Sequence, residues 1–505
     1  MQKSILLLGA GKSATALIDY LIQNAPEQNW RVRIGDINVT EARKKLGSSA
    51  HGEAFGLDVS SDHQRSAEIR ASDLVISLLP ATLHFQVAKD CLKHGVNLLT
   101  ASYIDDDLKK MAKEIEAKKL IFLCEMGLDP GIDHMSAKKL IDEIQEDGGR
   151  ITSFLSHCGG LVSKESDQNS WHYKISWNPR NVVTAGRAGA SFRYNGDYQI
   201  LSYPELFKTL RVSRINGYGN LAWYPNRDSL SYQAIYDLNE CASFIRTTLR
   251  HADFIEGWSR LIELELTADD PLEDIEGRPL AEGFKMALKK KDFPSWLSSK
   301  INSNLEQQSG LLEELNEVVD REQDAIDLGL ERHEDLLVVD DTGVVKTLDA
   351  DHLKLDAAAR LGEGIHKVQV MVAQLVELGL NDQQTIVPSG INTVSGLLQF
   401  ALETKLALQP DDKDLVVMQH EIEFVNSGRK YLTTSTLLKD GESASRTGMA
   451  QTVGWPLGIA AKLILNNQIR KKGLLIPIVK EIYQPVLKEL ETMGVVFVEN
   501  TTDIL

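Results

Sequence analysis

Short continuous apolar runs alternate with amphipathic stretches over the first quarter of the chain. Ser4–Leu8 (SILLL) reads as a strand covered on both faces, because a half-exposed strand would alternate apolar with polar positions. After Gly9-Ala10-Gly11, residues Ala14, Leu17, Ile18, Leu21 and Ile22 recur at helical spacing and predict a helix from Ser13 to about Gln23. Arg31–Gly35 predicts a second strand ending at Asp36. A polar helix over Thr40–Lys45, a short segment to Asp58 and a helical stretch to Ala71 follow. Asp73–Leu79 predicts a buried strand stopped by Pro80. Helix Leu83–Lys93, strand Asn97–Leu99, helix Asp105–Lys118 and strand Leu120–Cys124 complete the series. Strands alternating with helices predict parallel βαβ units, hence an α/β fold with a doubly wound sheet.

Beyond Gly127 the pattern changes to strand-like stretches rich in Ser, Thr, Trp and Tyr, including Ile151–His157 and His172–Trp177, as in a mixed α/β domain. From about 271 to 410 it turns helical and acidic, and the acid run reads as a solvated helix face. Strand signals return at Asp414–Glu423 and Lys430–Leu438. The expected organisation is a dinucleotide-binding domain over 1–127, a mixed α/β domain over 128–270 and 411–505, and a helical insertion over 271–410. Part of the C-terminal segment is expected to pack on the first domain.

Composition narrows the partners. Acids outnumber bases 72 to 55, a net charge of −17. Such a surface repels phosphate backbones and anionic lipid, so a small-molecule partner is expected rather than nucleic acid or membrane. Cys91, Cys124, Cys158 and Cys241 lie far apart with no C-x-x-C pair, as in a reducing compartment. The N-terminal apolar run is too short for a signal peptide or a membrane span, so a cytoplasmic protein is expected. No H-x-x-x-H or H-E-x-x-H pair occurs, and no metal site is expected.

Gly9-Ala10-Gly11-Lys12-Ser13-Ala14 reads G-x-G-x-x-A between a strand and a helix. The first glycine makes the tight turn, the second lets backbone approach a pyrophosphate, and Ala14 permits close helix–sheet packing. The helix N-terminus adds N–H donors for the phosphates. Asp36, at the end of the second strand, can accept hydrogen bonds from the adenine ribose hydroxyls and repel a 2′-phosphate, which favours NAD over NADP. The alternatives are that Asp36 caps its turn, or that Arg31, Arg33 or Arg43 hosts a phosphate and NADP binds. The cofactor site is further expected to include Lys12, Ser13, Asp58, Val59, Ser77, Leu78, Ala101 and Trp177.

Glu125–Ala137 (EMGLDPGIDHMSA), preceded by Thr100-Ala101-Ser102-Tyr103, resembles the saccharopine dehydrogenases of the glutamate-forming type. Cys158-Gly159-Gly160, Ile175-Ser176-Trp177, Tyr224-Pro225-Asn226-Arg227-Asp228, Ile245-Arg246, Thr248-Leu249-Arg250, Met418-Gln419-His420, Thr434-Ser435-Thr436 and Gly458-Ile459-Ala460 continue the resemblance along almost the whole chain. It implies a Rossmann domain, a mixed α/β substrate and dimerisation domain, a helical third domain and a homodimer. The implied reaction is oxidation of the secondary amine of saccharopine by a nicotinamide, giving glutamate and 2-aminoadipate 6-semialdehyde. The resemblance further implies that Ser102 and Tyr103 contact both the nicotinamide region and substrate, Ser102 thus belonging to the cofactor site as well, and that Asp129, Arg227 and Thr248-Leu249-Arg250 contact substrate. Saccharopine carries three carboxylates, which the planar fork of arginine suits better than lysine does. Asp129, Tyr103 and His134 are candidates for acid–base work, with Asp129 and Tyr103 preferred and His134 expected to pack on its helix. The run after Gly160 (Leu161-Val162-Ser163-Lys164-Glu165) departs from the family's L-P-A-P-E, and the helical insertion is long. A carboxyspermidine-type dehydrogenase and a non-catalytic nucleotide-binding scaffold are the alternatives; the first would want carboxylates where this chain offers Arg227 and Arg250.

Overall fold

The computed structural model describes the backbone of residues 2–327, 335–339 and 345–504, with side chains described outside 314–358 and positions 290 and 311. Two compact units divide it: residues 1–168, 172–259 and 402–505 form one, and 169–171 with 260–401 form the other.

The first unit opens with β1 (Lys3–Leu8), α1 (Thr15–Gln28), β2 (Trp30–Asp36), α2 (Val39–Leu46), β3 (Gly52–Gly56), α3 (Asp62–Arg70), β4 (Leu74–Ser77), α4 (Ala81–His94), β5 (Asn97–Thr100), α5 (Asp106–Ala117) and β6 (Ile121–Leu123). The strands lie parallel in the order β6-β5-β4-β1-β2-β3, and Gly473–Leu475 from the far end of the chain adds a seventh beside β6. Alternate side chains of β1 enter opposite cores. Ile5 and Leu7 pack with Leu17, Ile18 and Leu21 of α1, while Leu6 and Leu8 pack with Val87, Leu108 and Ile115 of α4 and α5. Both faces being covered explains the unbroken apolar run in this strand.

A ten-stranded mixed sheet completes the unit. Its spine is β7 (Arg150–Val162), entered through α6 (Ile132–Glu146). Ser243–Arg250 pairs with β7 in parallel and Asp414–Asn426 pairs with it antiparallel. Gly219–Pro225 lies beyond the former, and Arg429–Asp440 and Phe497–Asp503 beyond the latter. The chain then returns to the first sheet through helix Gly448–Leu465, whose Leu457, Ala460 and Ala461 share a core with α1. The approach is close: a Cβ at Gly454 would stand 2.7 Å from the Leu17 backbone nitrogen. Asp414 anchors this helix by accepting from the backbone N–H groups of Gly448 (2.6 Å) and Met449 (2.9 Å), where the helix dipole favours negative charge.

Three expectations need correction. His172–Trp177 is a loop with a single bridge, Ile175 to Ala407, rather than a strand. His172 adopts φ +47° and binds Asp167, and the Trp177 indole donates to the Tyr173 hydroxyl (2.8 Å), so the segment's polar groups are turned away from a ladder. The stretch before Asp58 contains β3, whose glycines and Glu53 hide the strand pattern. The second unit spans 260–401, not 271–410, because its limits fall inside helices Ala252–Glu263 and Val394–Lys405. It holds the long helices Phe293–Asp327 and Ala350–Glu377, together with a hairpin of Asp335–Val339 and Val345–Asp349 that the helical reading did not foresee. The solvated face expected of the acid run lies mostly outside the residues whose side chains are described. Among the described residues no helix is long and apolar enough to cross a membrane.

The helix contact gives a direct test. Gly454→Leu should overpack the α1 interface and lower the urea-unfolding free energy of the first unit by about 2 kcal/mol; an unchanged midpoint would show that the contact does not exist in solution.

Candidate active site

The glycine turn follows β1 directly. Gly9 has φ +96°, and a Cβ there would meet the Leu78 carbonyl oxygen at 2.9 Å, so only glycine fits without strain. At Gly11 a Cβ would meet nothing within 4 Å. This open cradle sits over the Lys12–Ala14 turn that leads into α1, and it fits the pyrophosphate of a dinucleotide. Ala14 is buried against the sheet and Ser13 is half-buried. Asp36 reaches back across the sheet edge, accepting from the backbone N–H of Ala10 (2.6 Å) and of Asn38 (2.7 Å). The Lys45 ammonium donates to the carbonyls of Ala10 (2.8 Å) and Gly11 (2.5 Å), a tether for the turn that the sequence reading missed. Arg31 and Arg33 both pair with Glu53, and Arg33 also pairs with Glu68.

The remaining cofactor candidates are less uniform. Asp58 caps its own turn through the Ser60 N–H (2.9 Å) and hydroxyl (2.6 Å). The Val59 side chain packs in the core with Leu57 and Ile69, leaving only its backbone for a ligand. Ser77 and Leu78 end β4, and Ala101 and Ser102 follow β5, at the carboxyl edge of the sheet where open α/β folds bind ligands. Trp177 is half-buried against Tyr173.

The centre of the candidate substrate region is Arg246, which carried no role in the sequence reading. Its guanidinium is 2% exposed and donates from Nη2 to Asp129 (2.6 Å), Asp133 (2.7 Å) and the Tyr103 hydroxyl (3.2 Å). Tyr103 in turn donates to Asp129 (3.1 Å), and the Asn226 amide donates to its other oxygen (3.4 Å). One cation thus serves two buried carboxylates, and they divide unequally. Burial and the Asp133 charge raise the Asp129 pKa, although Arg246 opposes them. Asp133 is held low despite burial by His134, Arg246 and the Gly131 N–H (2.6 Å). Asp129 is therefore the member of the pair that can take up a proton. Burial raises the Tyr103 pKa, keeping its hydroxyl protonated. His134 is fully buried behind the pair, bonded to Glu125 (2.8 Å) and Tyr236, and Tyr232 donates to the same carboxylate (2.9 Å). Its ring packs against Tyr232 and Tyr236 rather than on its own helix, and its Nδ1 lies 3.7 Å from Asp133.

The two predicted arginines both lack the carboxylates that hold Arg246, and Arg227 is in addition exposed. Arg250 is 4% exposed, yet among the described residues no carboxylate pairs with it. Its Nη1 donates only to the carbonyls of Leu249 (2.7 Å) and Gly160 (3.3 Å), its Nε has no partner, and its plane lies over Tyr173 and Phe254. Arg227, at φ +51°, lies over the Tyr103 ring at 5.0 Å and also has no carboxylate partner among the described residues. Arg246, Thr248 and Arg250 alternate along one strand and share a face. That period-two spacing in IRTTLR was the signal for Arg246. Leu249 points to the other face, where it is buried. Cys158 is buried and its thiol pKa is pushed up by burial, so it is no nucleophile. Among the described residues no cluster of His, Cys, Asp or Glu could hold a metal ion.

Known proteins match the chain along nearly its whole length. Residues 5–123 match the family model described as saccharopine dehydrogenase NADP binding domain, and residues 127–495 match the saccharopine dehydrogenase C-terminal domain. The chain is 31% identical to the NADP(+)-dependent, L-glutamate-forming saccharopine dehydrogenase of Saccharomyces cerevisiae, over 99% of this chain and 100% of that one. It is 30% identical to the alpha-aminoadipic semialdehyde synthase of Arabidopsis thaliana, over 99% of this chain but 45% of that longer protein. The solved apo structure of the S. cerevisiae saccharopine dehydrogenase (L-Glu forming) superposes with a TM-score of 0.75 at 29% identity, covering 99% of this chain and 100% of that one. The names of the family model and of the yeast relative carry NADP, so the expectation of NAD finds no support in them.

The unequal pair can be tested in isolation. Asp133→Asn removes the charge that raises Asp129, so the Asp129 carboxyl titration, followed by carbon NMR, should move down by about one pH unit. No movement would mean that the two carboxylates are not coupled.

Proposed function

Because the chain belongs to the saccharopine dehydrogenase family, we propose that it oxidises the secondary amine of saccharopine with a nicotinamide dinucleotide, yielding L-glutamate and 2-aminoadipate 6-semialdehyde. The observation that carries this reading is Arg250, a buried cation with no carboxylate partner among the described residues. A buried charge without a counter-ion is costly. A substrate carboxylate would satisfy Arg250, and a second would satisfy Arg227. A carboxyspermidine-type substrate, richer in ammoniums, finds no such complement.

When bound, the dinucleotide supplies the hydride acceptor. The rest falls to the chain's own residues. Hydride leaves only from a carbon beside a neutral amine, so the ammonium proton must first be taken up. Asp129 is the carboxylate placed to accept it, with Tyr103 and Asn226 fixing its orientation. Water then adds to the oxidised carbon–nitrogen bond, the protons it gives up pass to the departing amine nitrogen, and Asp129 returns its own proton to solvent. Arg246 keeps Asp129 and Asp133 in position without consuming either arginine that faces substrate.

NAD is our choice of cofactor, although the relatives are named for NADP. Asp36 supports it, since its fixed carboxylate would stand against a 2′-phosphate, while Arg31 and Arg33 are already paired with Glu53. The expected homodimer and cytoplasmic setting belong to the same reading, and four free, buried cysteines support a reducing compartment.

Absorbance at the reduced-nicotinamide band with saccharopine tests the reaction. NAD should give the higher kcat/KM, and Asp36→Ser should narrow or reverse the ratio; a strong NADP preference in the unaltered enzyme would remove Asp36 as the determinant. Asp129→Asn should lower kcat by about 100-fold with the unfolding midpoint retained, whereas an unchanged kcat would exclude Asp129 from catalysis.

A further inference from the structure

At the carboxyl edge of the parallel sheet, three polar side chains form a line that the reaction above does not use. The Ser77 hydroxyl oxygen, fully buried at the end of β4, lies 2.9 Å from Nδ1 of His84. His84, 3% exposed in the first turn of α4, places Nε2 at 2.7 Å from the hydroxyl oxygen of Ser102, just past β5. Burial pushes the imidazole pKa down to about 4, so the ring is neutral near pH 7 and carries one N–H. Which nitrogen carries it follows from Ser77. A hydroxyl sealed from water must donate its single proton to a protein acceptor. Among the described residues, Nδ1 of His84 is the only side-chain or backbone atom bonded to that hydroxyl. Ser77 therefore donates to Nδ1, and the ring proton sits on Nε2 and is donated to Ser102. Having accepted there, Ser102 has its own O–H free to turn away from His84, toward the open sheet edge, where it is half-buried.

We propose that His84 is a positioning residue that locks Ser102 as a hydrogen-bond donor to a planar oxygen acceptor of the bound ligands, either the nicotinamide carboxamide or a substrate carboxylate. The proposal rests on the oxidoreductase reading above and adds a selection rule to it. A free serine hydroxyl can donate or accept and so tolerates either an oxygen or an ammonium neighbour. With one lone pair taken by His84 and its single proton left to point outward, Ser102 favours the oxygen. Ser77, which bonds Nδ1 of His84 and not Ser102, is the remote part that sets this polarity.

Nitrogen-15 NMR of the full chain, with the His84 ring assigned through His84→Gln, should show Nε2 protonated and Nδ1 bare before any ligand is added. This measurement does not depend on turnover, so it decides the lock even if saccharopine proves not to be the substrate. Ser102→Ala and His84→Phe should then weaken the same ligand by about tenfold. A loss in the fluorescence titration of NADH alone assigns the acceptor to the carboxamide. A rise in the saccharopine KM with NADH binding intact assigns it to a carboxylate. Ser77→Ala should show part of the same loss, and His84→Gln, which keeps an N–H toward Ser102, should recover most of it. A ring protonated on Nδ1, or variants that change neither NADH binding nor the saccharopine KM, would overturn the proposal.

Discussion

A guanidinium taken out of water must find its counter-charge within hydrogen-bond reach, and Arg246 finds it in Asp129 and Asp133. Much of the local structure is arranged to make that meeting possible. Asp129 and Asp133 flank Gly131, where a Cβ would fall 2.0 Å from the Gly127 carbonyl oxygen, so the chain can fold back tightly enough to present both carboxylates to one cation. The strand that carries Arg246 runs parallel to β7 and is fixed by it. Because two negative charges share one positive charge, the cluster has a standing deficit. The deficit settles on Asp129, the member nearer Tyr103 and Asn226.

The two buried arginines of the region, Arg246 and Arg250, divide by partner rather than by depth, while Arg227 is exposed. Arg246 and Arg250 are equally sequestered, yet the first is neutralised by protein and the second is not. That contrast places a positive region inside a molecule whose net charge is −17. Bulk charge governs solubility and long-range encounter, while the charge felt by a ligand is set by whether each buried cation has its own carboxylate.

Legibility in the sequence followed the strength of local patterning. β1 and β4, buried on both faces, stood out as unbroken apolar runs, and the glycine turn was readable because strand and helix signals flanked it. β3 was missed because Gly52, Glu53 and Gly56 carry no strand signal, and Gly473–Leu475 because three residues form no pattern. The false strand at His172–Trp177 came from β-forming residue types whose polar groups bind locally to Asp167 and Tyr173. Asp129, Tyr103, Arg227 and Arg250 were singled out as site candidates through the family resemblance. The pairing of Arg246 with Asp129 and Asp133 was not, since residues more than a hundred positions apart meet only through sheet pairing. The tether from Lys45 was hidden for the same reason, its partners being backbone carbonyls that no side-chain pattern announces.

The return of helix Gly448–Leu465 and strand Gly473–Leu475 to the first sheet also bears on how the molecule is made. On a translating ribosome β1 to β6 emerge early, but one face of their sheet and one edge stay bare until residues far down the chain have left the exit tunnel. The nucleotide-binding half therefore cannot mature as its own segment is synthesised. Final closure over α1 is a late, long-range event rather than a local one.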